Sequence, residues 1–283
     1  MRFSVIDCIS SPSPQGALNE DAIGATCTAA WVIDGVTGVS NSPPLVAGLT
    51  DAAWLAEQLG NELRRAFEKK SINPIPALAE IEGTIRAKFA AISSGAERTA
   101  GEQPSAAFAL TVLTDDIVHL MGIADCRIIF ESKTGDVEEF NPSSVGQAEP
   151  LIIDEQRRLI AAYPNEDVWQ RLKPFIRSFR ELANLDAGYS VVHPTRSWSS
   201  RIKSRTQDAA EIRHLLVVSD GFYRLVDVFR ATDMRGLLKR SLEGRLELLC
   251  SELRALEFED GACSAYPRIK TCDDASAVLL RIV

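Results

Sequence analysis

Two apolar runs in this chain stop in the same abrupt way. Trp31-Val32-Ile33 leads into Asp34-Gly35, and Leu215-Leu216-Val217-Val218-Ser219 leads into Asp220-Gly221. A short apolar run closed by a turn signal is the pattern of a strand buried on both faces. Asp-Gly alone marks a turn, but glycine also lets the backbone turn sharply and approach a ligand. A fold that accommodates both runs has to surround each strand with apolar partners and leave both carboxylates at the rim of the core.

The rest of the chain supplies those partners. Residues 2–9 read as a first strand, 22–34 as two short strands, and 106–114, 117–124 and 127–132 as three more, with a hairpin turn at 133–137. Residues 188–194 and 275–283 read as further strands. Apolar positions three or four residues apart predict helices over 45–67, 76–91, 151–160, 168–182 and 235–256. Residues 10–21, 97–105 and 195–207 read as loops, the last of them basic. Strands fall in adjacent groups and helices in pairs, without strict βαβ alternation. This points to antiparallel sheet covered by helices.

At 283 residues and 46% hydrophobic content the chain can bury a large core. A net charge of −8 argues against a nucleic-acid partner. No apolar run approaches the about 18 residues of a membrane span, and Asp7 interrupts the N-terminal apolar stretch, so a signal peptide is not expected. The six cysteines form no C-x-x-C pair, which predicts free thiols and a cytoplasmic setting. Three isolated histidines, His119, His193 and His214, lack paired ligand spacing and read as structural. No G-x-x-x-x-G-K-[ST] loop is present.

Carboxylates recur at strand ends: Glu20-Asp21, Asp34, Asp125, Asp220 and Asp273-Asp274. Brought together, they cannot all stay ionised without a cation. Carboxylate and carbonyl oxygens are the ligands of Mg²⁺ or Mn²⁺.

In order, Asn19-Glu20-Asp21, Asp34-Gly35, Ala124-Asp125-Cys126-Arg127, Ser219-Asp220-Gly221 and Asp273-Asp274-Ala275-Ser276 resemble the motifs of the metal-dependent protein phosphatases, type 2C, in a bacterial form. The resemblance spans nearly the whole chain and implies a single catalytic domain over 1–283. The implied fold is α+β, a four-layer α-β-β-α sandwich of two antiparallel sheets with helices outside each. The resemblance also implies a centre of two Mg²⁺ or Mn²⁺ ions. Asp34 would bridge them, Asp220 and Asp273 would complete one shell, and Glu20 with the Gly35 carbonyl would complete the other. Asp21 would orient a water, and Asp125 is the candidate for a third ion. The implied activity is hydrolysis of phosphoserine and phosphothreonine in protein substrates, a signalling role, by attack of a metal-bridging hydroxide.

The pattern departs from the family in its substrate contacts. The arginine many members carry four residues before the glutamate is Gly16, a histidine common after Asp-Gly is Val36, and the final Asp-Asn is Asp273-Asp274. Arg196 and Arg201, in the basic segment, are the candidates for a replacement phosphate grip. The alternative expectation is a weak or inactive relative that binds a phosphoprotein or another regulatory partner. The sequence leaves the oligomeric state open.

Overall fold

The computed structural model describes residues 1–16, 18–68, 72–93, 98–143, 148–164 and 166–283. The loops expected at 10–21 and 97–105 include Ala17 and Glu97, which lie outside the described residues. Among the described residues ten strands form two antiparallel sheets of five. The strands are β1 (Phe3–Ser11), β2 (Asp21–Ala25), β3 (Ala29–Val36), β4 (Ser105–Thr114), β5 (Ile117–Ile123), β6 (Arg127–Ser132), β7 (Val137–Phe140), β8 (Lys203–Asp208), β9 (Ile212–Val218) and β10 (Ala275–Ile282). One sheet has the order β1-β10-β9-β6-β7, the other β2-β3-β4-β5-β8.

The two-residue period of the strands sorts their side chains into layers. Ala30 and Val32 of β3 face Leu215 and Val217 of β9 in a core between the sheets. Trp31 and Ile33 point the other way, onto Leu55, Leu59 and Leu63 of α1 (Asp51–Phe67) and Ile85 and Phe89 of α2 (Pro74–Ile92). On the far side Leu216 and Val218 meet α5 (Asp220–Asp227), α6 (Met234–Glu243) and α7 (Leu246–Glu259) through Phe222, Leu237 and Leu253. The result is a four-layer α-β-β-α sandwich. Each sheet is apolar on both faces, which is why its central strands read as continuous hydrophobic runs rather than alternating ones.

A further pair, α3 (Ala148–Ala162) and α4 (Val168–Arg180), stands apart from the layers. Its core of Ile152, Leu159, Leu172 and Ile176 also takes in Val39, three residues after β3 ends. Arg177 and Arg180 of α4 donate to the Val39 and Thr37 carbonyls at 3.0 and 2.9 Å. The pair therefore covers the segment that follows Asp34-Gly35.

Several elements differ from the sequence expectations, and α5, which begins at Asp220, was not expected at all. α1 starts at Asp51, where the Thr50 hydroxyl caps the Ala53 amide, rather than at 45. The helix expected over 235–256 breaks at Gly244, which is extended at φ −122° and ψ −163°. Residues 188–194 make only the isolated bridge Val192 to Ala106. The basic segment instead supplies β8, an edge strand on β5.

Candidate metal and phosphate site

The carboxylates meet at one end of the sandwich because of strand register. Asp21 opens β2 and pairs across to Asp34 near the end of β3. Val218 ends β9 and pairs with Ala277 of β10, which places the start of α5 beside the segment leading into β10. Ser219 and Ser276 tie the two together: the Ser219 amide donates to the Ser276 carbonyl and the Ser276 amide to the Ser219 hydroxyl, both at 2.9 Å. Asp220 is the first residue of α5, where a negative charge suits the helix N-terminus.

The glycines of the two Asp-Gly pairs are explained by close approach, not by unusual backbone angles. A Cβ on Gly35 would sit 2.5 Å from the Glu20 carbonyl oxygen, which accepts the Gly35 amide at 3.1 Å. A Cβ on Gly221 would sit 1.9 Å from the Asp274 carbonyl oxygen. Each glycine thus lets one acidic segment lie directly against another.

Asp34, Asp125, Asp220 and Asp273 line one cavity of about 320 Å³, with Gly35, Val36, Glu149 and Asp227. Burial and the neighbouring Asp220 and Asp21 push the Asp34 carboxyl well above the usual range. Asp21 behaves likewise, through burial, against the nearby Ser276 hydroxyl, and through the charges of Asp274, Asp273 and Asp220. Burial and Asp220 raise Asp125 to about 7. Burial also raises Glu20, against the Thr37 hydroxyl, which donates to its Oε2. Both Asp21 oxygens and Asp220 Oδ1 are buried with no hydrogen-bond partner among the described residues. Unpaired buried carboxylate oxygens are costly, and an all-oxygen donor set of this kind fits a hard divalent cation.

Asp273 is different. Its Oδ1 accepts from Lys270 Nζ at 2.9 Å and its Oδ2 from Arg224 Nη2 at 2.7 Å. Burial works against its ionisation, yet the two cations outweigh it and hold Asp273 below the usual carboxylate range. Burial likewise lowers Lys270, but Asp273 prevails and its ammonium is favoured. Arg224, one turn after Asp220, also pairs with the fully buried Glu257 at 3.2 Å. Asp274 serves the backbone: its oxygens accept the Ser13 and Glu20 amides at 2.7 and 2.6 Å, fixing the loop before β2. Among the described residues no three His, Cys, Asp or Glu side chains close on one point as a finished ligand set. The unpartnered oxygens of Asp21 and Asp220 suit a divalent cation in their chemistry, while Asp273 already carries protein counter-charges.

A family model described as protein phosphatase 2C matches residues 11–247. The chain belongs to the protein phosphatase 2C family. The fold agrees with that of solved bacterial serine/threonine phosphatases. PstP of Mycobacterium tuberculosis matches with a TM-score of 0.58 at 12% identity, over 100% of this chain and 99% of that one. The PstP catalytic domain in complex with two manganese ions matches at 0.59 and 12%, with the same coverage. Stp1 of Staphylococcus aureus matches at 0.56 and 14%, over 99% and 96%. No curated protein matches in sequence.

Within this phosphatase fold the expected phosphate contacts fall in different places. Gly16 is exposed, and its amide donates to the Ser13 carbonyl. Arg196 Nη1 donates to the Glu181 and Ala183 carbonyls, both at 2.7 Å, and braces the turn after α4. Arg201 pairs with exposed Asp186 at 3.4 Å. Neither is among the residues lining the acidic cavity. Five cationic side chains do line it: Arg127, Arg180, Arg224, Arg268 and Lys270. Arg127 pairs with Glu139 and Asp227, Arg224 with Glu257 and Asp273, Arg268 with Asp260, and Lys270 with Asp273. Arg180 has no carboxylate partner among the described residues; only the Thr37 carbonyl accepts from it, and burial pushes its guanidinium down. Beside it Trp169, Phe179 and Tyr189 give the cavity an aromatic wall.

The sequence reading missed these cationic contacts. Arg224 follows Asp220 at helical spacing, a signal visible once α5 is recognised. Lys270 belongs to no periodic pattern, and Arg180, at the end of the helix expected over 168–182, carried no signal of its own.

The histidines serve structure. His193 is buried, with Nε2 3.2 Å from the Ala100 carbonyl, and burial lowers it to about 4. His119 and His214 bond Thr114 and Glu131. The six cysteines form no disulfide. Among the described residues no helix is long and apolar enough to cross a membrane.

Proposed function

We propose that residues 1–283 form one catalytic domain, a Mg²⁺- or Mn²⁺-dependent phosphatase acting on phosphoserine and phosphothreonine in proteins. The observation that supports it most is the set of carboxylates at one end of a protein phosphatase 2C fold: Asp34 and Asp220 line the cavity, Asp21 pairs across from Asp34, and Asp21 and Asp220 keep buried oxygens without a partner among the described residues. Asp34 and Asp220 would hold the cation, with Asp125 beside Asp220 as a weaker ligand. Glu20 and the Gly35 carbonyl would be further ligands of the same centre. A divalent ion bound there supplies Lewis-acid charge, which acidifies water and offsets the charge of the phosphoryl oxygens.

The chain's own groups do the rest. Asp21, with both oxygens unpartnered, is placed to orient a water by accepting its hydrogen bonds. Arg180, rather than Arg196 or Arg201, is the guanidinium free to meet a phosphate dianion, and its fork can bond two oxygens at once. The aromatic wall screens that pair from water, which strengthens it. Val36 replaces any protonating side chain after Asp34-Gly35, so protonation of the leaving oxygen falls to solvent. A cytoplasmic signalling role accords with the free thiols and with phosphoprotein substrates.

One observation favours a second reading. Asp273 is already neutralised by Lys270 and Arg224, which would suit a slow or inactive relative that binds a regulatory partner. Phosphate release from phosphoserine and phosphothreonine peptides, with Mn²⁺ and then with chelator, separates the two. Metal-dependent turnover is expected. Absence of turnover at every metal concentration, with phosphopeptide binding retained, would establish the second reading.

A further inference from the structure

We propose that the Lys270 ammonium is a built-in cation that takes the place of one of the two divalent ions, so that this site binds a single one. The inference rests on the metal-dependent reading above and changes its stoichiometry.

The argument begins with position. Lys270 lies in the segment between α7 and β10, three residues before Asp273. Its Nζ donates to Asp273 Oδ1 at 2.9 Å and to Thr37 Oγ1 at 2.8 Å. The Thr37 hydroxyl in turn donates a hydrogen bond to Glu20 Oε2. Asp34 and Glu20 also act on the ammonium through their charge. The ammonium therefore holds Asp273 directly and Glu20 through Thr37, residues taken from both expected ion shells.

Charge balance leads to the same place. Asp273 has no oxygen without a cationic partner, because Arg224 holds Oδ2 while Lys270 holds Oδ1. An ion seeking Asp273 meets a carboxylate whose charge two protein cations already offset. A dication placed between Glu20 and Asp34 is repelled by the ammonium, which is one hydroxyl away from Glu20. By contrast, Asp21 is nine-tenths buried, and neither of its oxygens nor Asp220 Oδ1 has a partner among the described residues. The uncompensated charge thus lies on the Asp34–Asp220–Asp21 side, where one dication answers it. Lys270 and Arg224 answer the remainder.

The test is metal stoichiometry, which does not depend on turnover. The full chain is titrated with Mn²⁺ by calorimetry, and bound metal is counted after equilibrium dialysis at saturating Mn²⁺. One Mn²⁺ per chain is expected for the wild type and for Lys270→Arg, and two for Lys270→Met, which keeps the stem and removes the charge. Two ions in the wild type would overturn the inference and leave metal dependence standing. No ion in the wild type would overturn both. One ion in a folded Lys270→Met would show that the lysine is not what excludes the second. Because the wild-type count decides by itself, an unfolded Lys270→Met leaves the inference open to refutation.

Discussion

Asp21 and Asp34 are register partners on adjacent antiparallel strands, and neither Asp21 oxygen has a hydrogen-bond partner among the described residues. Like charges directly opposite on paired strands destabilise a sheet. Without a cation between them, the pair stores repulsion in the metal-free protein. Asp34→Asn removes one charge at little change of shape. It is expected to raise the chelator-treated melting temperature, with a gain in stability of about 1.4 kcal/mol for each pKa unit of strain relieved. Mn²⁺-dependent phosphatase activity should fall by roughly a hundredfold or more, the scale of losing a main electrostatic contributor. Thermal melts in chelator and peptide turnover in Mn²⁺ check both halves. A variant with wild-type turnover would remove Asp34 from the centre.

The same strain fixes a pH dependence. Asp21, Asp34 and Asp125 have folded-state pKa values raised above their unfolded ones, Asp125 to about 7. Between the unfolded value near 4 and the raised value, the folded state keeps protons that the unfolded state has lost. Stability of the metal-free protein should therefore decline as pH rises through that window, by about 1.4 kcal/mol per pH unit for each proton retained. Asp273, held low by Lys270 and Arg224, acts in the opposite sense: its contribution is present above the unfolded value and is lost as pH falls through the folded one. Saturating Mn²⁺ should flatten the neutral-side decline, because the cation replaces the protons. Urea unfolding from pH 4 to 8, with and without metal, measures the slope. A metal-free stability that rises from pH 5 to 7 would contradict this account of the carboxylates.

How much of this was legible depends on whether a signal was local. The strands around Trp31-Ile33 and Leu215-Val218 were readable because both faces are buried and every position is apolar. The acidic motifs were readable because their order along the chain is distinctive; all but the last, at Asp273-Asp274, lie within the residues matched by the family model. β8 was read as loop because an exposed edge strand of Lys203, Arg205 and Gln207 offers no apolar alternation. α5 was hidden because it has only eight residues and begins Asp-Gly, so its first turn mimicked a loop. The role of Lys270 was out of reach altogether: its partner Thr37 is 233 residues away, and a lone lysine in a polar segment has no period.

The close approaches at Gly35 and Gly221 make a steric prediction. Gly35→Ala and Gly221→Ala force the backbone of Glu20 or Asp274 to move, since the added carbons would lie 2.5 and 1.9 Å from those carbonyl oxygens. Destabilisation of about 1–3 kcal/mol is expected, greater at 221, as for overpacked cores. Gly16→Ala is the control: its Cβ finds nothing nearer than 3.5 Å, so a change within about 0.5 kcal/mol is expected, as at an ordinary surface site. Urea titrations of the three variants rank them. Equal stability of Gly221→Ala and Gly16→Ala would show that the α5 start does not press on Asp274.

The phosphate grip is tested by separating KM from stability. Arg180 lines the cavity without a carboxylate partner among the described residues, whereas Arg196 is spent on two backbone carbonyls. Arg180→Ala should raise KM for phosphopeptide about tenfold or more and change kcat less, the mark of binding lost equally from ground and transition states. Arg180→Lys should recover only part of this, because an ammonium keeps the charge but not the two-pronged geometry. Arg196→Ala should lower stability by about 1–3 kcal/mol, the range for hydrogen bonds from a charged donor, with KM nearly unchanged. The two variants thus move opposite observables. Loss of the Arg180 bond to the Thr37 carbonyl also disturbs the segment after β3, so melting temperatures accompany the kinetics. A KM effect that appears only with Arg196→Ala would return phosphate recognition to the basic segment and leave Arg180 as a brace for α4.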